Sequence, residues 1–309
     1  MSSFSVETDP DSPPWESTAR SRRLKIGWRG RPVTAVSQGE YRSYLYPVFT
    51  PAGVGVTDES PIDHPHHQSV SIGTDHVNCR LPLPEPYAHR AEKATYNFWS
   101  NETYSGRAPG RIVGVDVESQ ELAADHLRLV QTLEWRSPAQ WGSPDGVVVV
   151  LETRTIDVYP GEMSNVIDVR SQLRPTQWDT RIGPAMHAYF TVRMADGLRV
   201  ADGGTLIDSE GRNGAARIRG RRAGWVDCSG MAAHGRNAGV AVLPYPSTGN
   251  PPWHLNDWGT VYLNPFLLEG RDLPRGGELD MAVRLIVHDG DAEEADVAKM
   301  FDTFSSQES

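Results

Sequence analysis

Apolar and polar residues alternate one by one along much of the chain. Leu127, Leu129, Leu133 and Trp135 share one parity, with His126, Arg128, Thr132 and Glu134 on the other. Ile167, Val169 and Leu173 repeat the pattern, as do Met281, Val283, Leu285 and Val287. A period of two puts one face of a strand in a core and the other toward solvent or a second sheet. Val147 to Leu151 is an unbroken apolar run, which predicts a strand buried on both faces. From Leu24 onward such segments are separated by Gly and Pro, the residues that punctuate strands.

A helical period stands out near the C-terminus. Val297, Met300, Phe301 and Phe304 follow at i, i+3, i+4 and i+7, behind Asp291 as a cap and Glu294 as its capping-box partner. This predicts one helix of about four turns. Residues 1–22 are polar and carry Pro10, Pro13 and Pro14, the composition of a disordered tail. The expected fold is all-β, a large β-sandwich with one C-terminal helix, in a single domain over 23–309. A two-domain split at 140–146 is the alternative.

Composition narrows the function classes. The formal net charge of −10 argues against nucleic acid as a partner, since duplex binding needs a basic face. The two cysteines, Cys79 and Cys228, make neither a disulfide framework nor a zinc CxxC pattern. The start Met1-Ser2-Ser3-Phe4-Ser5 does not read as a signal peptide, and no run approaches the ~18 apolar residues of a membrane span. The expectation is a cytoplasmic protein without a membrane partner; a homo-oligomer is compatible with all of this. Phosphate-cradling glycine loops and the G-x-S-x-G elbow are absent from the sequence.

Asp63-His64-Pro65-His66-His67 concentrates imidazoles. Histidine is the natural acid/base near neutral pH and the commonest metal ligand. In an extended stretch His64 and His66 would share one side and His67 the other. No cofactor is required by the sequence, but a divalent metal on His64, His66 and His254 is an option. His187 lies in the strand-like segment Met186–Phe190. Trp253-His254-Leu255-Asn256-Asp257-Trp258 offers aromatic faces beside hydroxyl-binding groups, a combination that suits a sugar ring. Glu210, Glu152 and Asp157 are carboxylates able to act as a base where desolvated. Arg217, Arg219, Arg221 and Arg222 form a basic run whose first three members share one face by period two; a solvated strand face is the favoured reading in so acidic a chain, and a phosphate site the alternative.

These motifs resemble a known family. Arg42-Ser43-Tyr44-Leu45-Tyr46-Pro47, Thr50-Pro51-Ala52-Gly53-Val54, Asp63 to His67, His76-Val77-Asn78 and Phe98-Trp99 look like the N-terminal signature of the bacterial PmoA-like family. Ala201 to Gly204, Ser209-Glu210-Gly211, Trp225 to Gly230, Trp253 to Gly259 and Asn264-Pro265-Phe266 resemble its C-terminal half. The family label borrows from a membrane-embedded methane monooxygenase subunit, a role this chain's hydropathy rejects. Its members accompany sugar dehydrogenases and isomerases, which implies carbohydrate metabolism. Gln68 and Asn256 stand where the family usually has arginine, which implies a less anionic substrate. His187-Ala188-Tyr189-Phe190 is similar to a segment of hexose mutarotases and sugar-phosphate epimerases, which implies their β-supersandwich.

The combined expectation is an enzyme acting on a small carbohydrate by epimerisation, elimination or hydrolysis. His66, His67, His187 and His254 would be its acid/base groups, with Glu210 or Asp257 as carboxylate. Tyr46, Asp63, Asn97, Trp99, Trp253, Trp258 and Asn264 would line the substrate. A metal enzyme of another class and a non-catalytic carbohydrate-binding sandwich are the alternatives. One shared site requires His187 within ~12 Å of His66.

Overall fold

The alternating segments become strands in the computed structural model, which describes residues 2–8, 22–82, 85–86, 91–139, 143–232 and 235–308. One eight-stranded sheet runs Phe4–Thr8, Arg22–Trp28, Arg31–Gln38, Ser43–Val48, Val70–Thr74, Ala188–Arg193, Thr260–Leu263, His254–Asn256. A second runs Thr205–Asp208, Val226–Ala232, Arg236–Pro244, Leu279–Asp289, Ser164–Pro175, Val148–Tyr159, His126–Arg136, Arg111–Ala123. A five-stranded sheet runs Arg271–Leu273, Thr180–Ile182, Val77–Pro82, Ala91–Asn97, Ala108–Pro109. Neighbours are antiparallel, apart from the parallel pair of Ala91–Asn97 with Ala108–Pro109. The architecture is an all-β sandwich.

One contiguous core holds the alternating residues of both large sheets, including Leu127, Leu129, Leu133, Trp135, Ile167, Val169, Val192 and Val261. Strands on either side of 140–146 pair directly, Leu127 opposite Val158, so no core divides there. Leu279–Asp289 is buried on both faces. Met281, Val283, Leu285 and Val287 enter the main core, while Ala282 and Ile286 meet Val297 and Phe304 of the terminal helix.

Four expectations need correction. Leu151 is 41% exposed: in register opposite Glu134 it keeps the outward parity, with Val150, Ile156 and Val158 inward, and the register shift at Trp135/Arg136 only adds Val149 to the buried residues. Phe4–Thr8 is a strand, Phe4 opposite Trp28, because Phe4 buries itself at the core's edge; the rest of the supposed tail, 9–21, lies outside the described residues. The capping box forms, Asp291 Oδ1 accepting from Glu294 N at 2.9 Å and Glu294 Oε2 from Asp291 N at 3.0 Å. Yet Asp296 takes a left-handed φ of 54°, so the helix starts only at Val297 and spans 11 residues to Gln307. The arginine run is not a strand; Ala215–Ile218 is a helical turn and Arg219 Nε donates to Leu255 O at 2.8 Å.

Polar groups also link the layers. Arg154 Nη1 donates to Ser43 O at 2.9 Å and the hydroxyls of Tyr189 and Ser171 lie 2.7 Å apart, each pair joining the two large sheets. Within the second sheet, His288 Nε2 meets Asp227 Oδ2 at 2.8 Å with both side chains fully buried. Burial pulls the His288 pKa down, but the Asp227 carboxylate outweighs it and the net direction is up. A raised folded pKa gives stability that is full below the unfolded value of about 6.5 and fades as pH rises through the folded value. Asp227→Asn should therefore lower the urea midpoint most near pH 6. A wild-type-to-variant gap that is equal at pH 6 and pH 9 would contradict this. No helix among the described residues is long and apolar enough to cross a membrane.

Candidate functional site

The first sheet has a second face, turned away from the core. Register aligns Tyr44, Ser71, Thr191, Tyr262 and His254 in one row across five strands. The neighbouring row, Leu45, Val70, Val192, Val261 and Leu255, enters the core. Alternation thus leaves a polar, aromatic floor that loops must cover.

The loop from Pro61 to Gln68 supplies the first cover. His64 N donates to Pro61 O at 3.0 Å and His67 N to His64 O at 2.9 Å, so the chain turns twice, with Pro65 at the favoured second position of the latter turn. The stretch is not extended, and the expected split of the imidazoles fails for that reason. All three gather instead: His64 stacks on His67 at 4.6 Å, and His66 meets His67 edge-on at 4.7 Å.

Trp99 is the centre of the cluster. Its ring lies 4.5 Å from His66 and stacks on His187 at 3.9 Å. His66 and His187 are thus no farther apart than the sum of those two spacings, well inside the one-site limit. Asn97, fully buried, holds this loop: its Oδ1 accepts from Trp99 N at 2.8 Å and Ser100 N at 3.0 Å, and its Nδ2 donates to Glu102 O at 2.9 Å. Gly73 lets the loop approach, since a Cβ there would stand 2.4 Å from Phe98 O. Gly73→Ala should push Trp99 off His187, costing about 1–3 kcal/mol and most of any ligand affinity. An unchanged urea midpoint with unchanged ligand affinity would count against this packing argument.

His187 stands just before the strand Ala188–Arg193. Pairing of Ala188 with Thr74 brings Asp75 beside it. Asp75 N donates to His187 O at 3.0 Å, and His187 Nδ1 donates to Asp75 Oδ2 at 2.9 Å. Asp75 is 2% exposed, and Arg107 Nη2 approaches its other oxygen at 3.5 Å. Such a carboxylate fixes the imidazole's tautomer and leaves Nε2 for chemistry. His254 lies 6.4 Å from His187, with Tyr104 at 5.3 Å and Tyr262 at 5.9 Å. Trp258, 45% exposed, lies parallel to His64 at 6.0 Å.

The electrostatics keep several imidazoles neutral. Burial, then Arg42, lowers the His66 pKa to about 4. Burial, then the neighbouring histidines, Arg193 and Arg42, lowers His67 to about 2. Burial, then His187 and Arg219, lowers His254 to about 4. Asp63 falls to about 2: burial opposes the shift, but Arg193 and His64 outweigh it. His66 Nε2 and His67 Nε2 are buried without hydrogen-bond partners among the described residues, whereas His64 Nδ1 lies 3.0 Å from Asp63 Oδ2.

The structure therefore brings together His64, His66, His67, His187, His254, Trp99 and Trp258, with Asp63 beside His64. Other expected residues do different work. Trp253 is 1% exposed in the core and its Nε1 donates to Ala223 O, so it cannot stack on a ligand. Asn97 and Asn264 are braces rather than ligand groups; Asn264 Nδ2 donates to Ala185 O at 2.8 Å, fixing the approach to His187. Tyr46 lies under Arg23, 5.2 Å from its guanidinium, and has no ring contact with the histidines. Glu210 is exposed at a turn of the second sheet, and Asp257 accepts from Ala215 N at 3.2 Å. Glu152 is saturated by core donors, and Asp157 by His126 and Arg128.

The metal trio is not assembled. His254 contacts His187 and Tyr262, not His64 or His66. Among the described residues no three His, Cys, Asp or Glu side chains are arranged to hold a metal ion. The face-to-face stack of His64 on His67 keeps their nitrogens from a common point, and the nearby Arg42 and Arg193 disfavour another cation. Asp75, Tyr104, Tyr262 and Arg193 were not singled out in the sequence, and Arg42 stood there only as part of a family-like motif, because tertiary structure alone brings them to the histidines.

No curated protein matches the chain. Among solved structures it is similar to the Slr1438 protein of Synechocystis sp. PCC 6803, at 7% identity over 93% of this chain and 96% of that one, with a TM-score of 0.32. Residues 24–302 match the family of unknown function DUF6807, and the chain belongs to that family.

Proposed function

We propose that the protein is a carbohydrate-active enzyme in which His187, oriented by Asp75, transfers a proton on a small sugar or keto-sugar. The His187–Asp75 pair at 2.9 Å, stacked against Trp99, carries this reading. An imidazole with one nitrogen anchored to a buried carboxylate and the other left for chemistry is a general acid/base device. Trp258 offers a ring face for a sugar's CH surface, and the unpartnered nitrogens of His66 and His67 offer hydrogen bonds to hydroxyls. The resemblance to PmoA-like proteins and to mutarotases points the same way. Cys79 and Cys228 are free and buried, which fits a reducing, cytoplasmic setting.

The test is proton NMR in deuterated buffer over hours, with a panel of aldoses, ketoses and sugar acids. It follows anomeric exchange, loss of C–H signals to deuterium, and product signals. Conversion by the wild type supports the reading. Binding without any chemical change would replace it with a non-catalytic carbohydrate-binding sandwich.

A further inference from the structure

Arg42 is 3% exposed, immediately before the strand Ser43–Val48. Its Nη1 donates to His66 O at 3.1 Å and its Nη2 to Asn101 Oδ1 at 2.9 Å. Both acceptors are neutral. Its Nε is buried with no partner among the described residues. No carboxylate is among the groups that favour its charged form. Burial accordingly lowers its pKa to about 10, which still leaves it charged at neutral pH.

A buried charge normally has a partner, because losing water without one costs several kcal/mol. The nearby carboxylates are already engaged. Asp63 takes Arg193 Nη2 on both oxygens, at 2.8 and 2.9 Å. Asp75 takes His187 and Arg107. Arg193 itself is 0% exposed and keeps Nε and Nη1 unpartnered. The site thus holds one guanidinium without a counter-charge, further guanidinium donors unused, and imidazoles that stay neutral.

We propose that the site takes the carboxylate of a sugar acid, with Arg42 as the counter-charge that the fold leaves unmatched. This rests on the carbohydrate reading above and names its substrate class. A single excess positive charge matches a monoanionic carboxylate better than a dianionic phosphate. The anion specificity implied absent by Gln68 and Asn256 is supplied from other positions in the chain. Arg42 and Arg193 are donors that cannot lose their protons at physiological pH. His66 and His67 add neutral hydrogen bonds.

The experiment is titration calorimetry on the full chain at low ionic strength. Probes are D-glucuronate, D-galacturonate and D-gluconate, each beside its uncharged amide, and D-glucose 6-phosphate. The best acid should bind at least ~10-fold tighter than its amide and weaken with added salt. Arg42→Met should erase the difference. Because that variant also loses fold contacts, Asn101→Asp is the decisive one: it places a carboxylate on Arg42, so it should cut acid affinity ~10-fold, spare the amide, and raise the ligand-free Tm. Equal binding of acid and amide overturns the anion inference and leaves the sugar reading standing. Tighter binding of the phosphate overturns the carboxylate assignment. Failure of every probe here, together with an inert NMR panel, overturns both.

Discussion

His187→Ala should lower turnover of whichever sugar the wild type converts by about 10²–10⁴-fold, the usual contribution of a positioned acid/base. The side chain is 16% exposed and touches Trp99, Tyr104, Tyr262 and His254 besides its bond to the buried Asp75, so the chain should lose about 1–3 kcal/mol of stability and stay folded. Asp75→Asn is the sharper probe. Asparagine keeps the shape, but its amide can face His187 Nδ1 with a donor and impose the opposite tautomer. Turnover should fall, KM should move little, and the pH profile should shift because the imidazolium loses its anion. A merely structural Asp75 would lower the urea midpoint and leave the profile of the remaining activity in place. Wild-type turnover in His187→Ala would remove the proton-transfer role outright.

The fold was far more legible than the site. Period two is a local property, and Leu127 to Trp135 or Met281 to Val287 declare their buried faces without knowledge of partners. Where the expectation slipped, a non-local term intervened. A bulge lets Val149 join Val150 in the core while pairing with Glu134 keeps Leu151 on the outward face, and the left-handed Asp296 delayed the helix. At the site, the histidines stood out because imidazole is chemically conspicuous. Their partners did not. Asp75 becomes a carboxylate for His187 only through the pairing of Thr74 with Ala188, 114 positions away along the chain by residue number. Arg42 is one arginine among many until burial strips it of a counter-charge. Trp253 and Trp258 look equivalent in sequence, yet one serves the core and the other the surface. Side-chain chemistry can be read from one position; role requires the neighbours that topology brings.

The largest stability effect should come from Glu152. Its carboxylate is fully buried and accepts four bonds: from Trp135 Nε1 at 2.8 Å, Arg154 Nε at 2.8 Å and Nη2 at 3.0 Å, and Ser171 Oγ at 2.8 Å. Ser171 passes the chain of bonds to Tyr189, two residues after His187. Glu152→Ala strands the Arg154 charge in the core along with an indole and a hydroxyl. Breaking one side of a buried pair costs about 3–5 kcal/mol, a large share of the total stability of a folded domain. Glu152→Gln keeps the shape and two acceptor lone pairs, so about 1–3 kcal/mol is expected. The double variant Glu152→Ala/Arg154→Met removes the stranded charge and should recover part of the loss. Urea melts of the three variants test the order: alanine worst, glutamine mildest, and the double variant less damaged than alanine alone. If removing Arg154 as well makes matters additively worse, the cost lies in lost packing rather than in an uncompensated charge, and the electrostatic account of this core link is wrong.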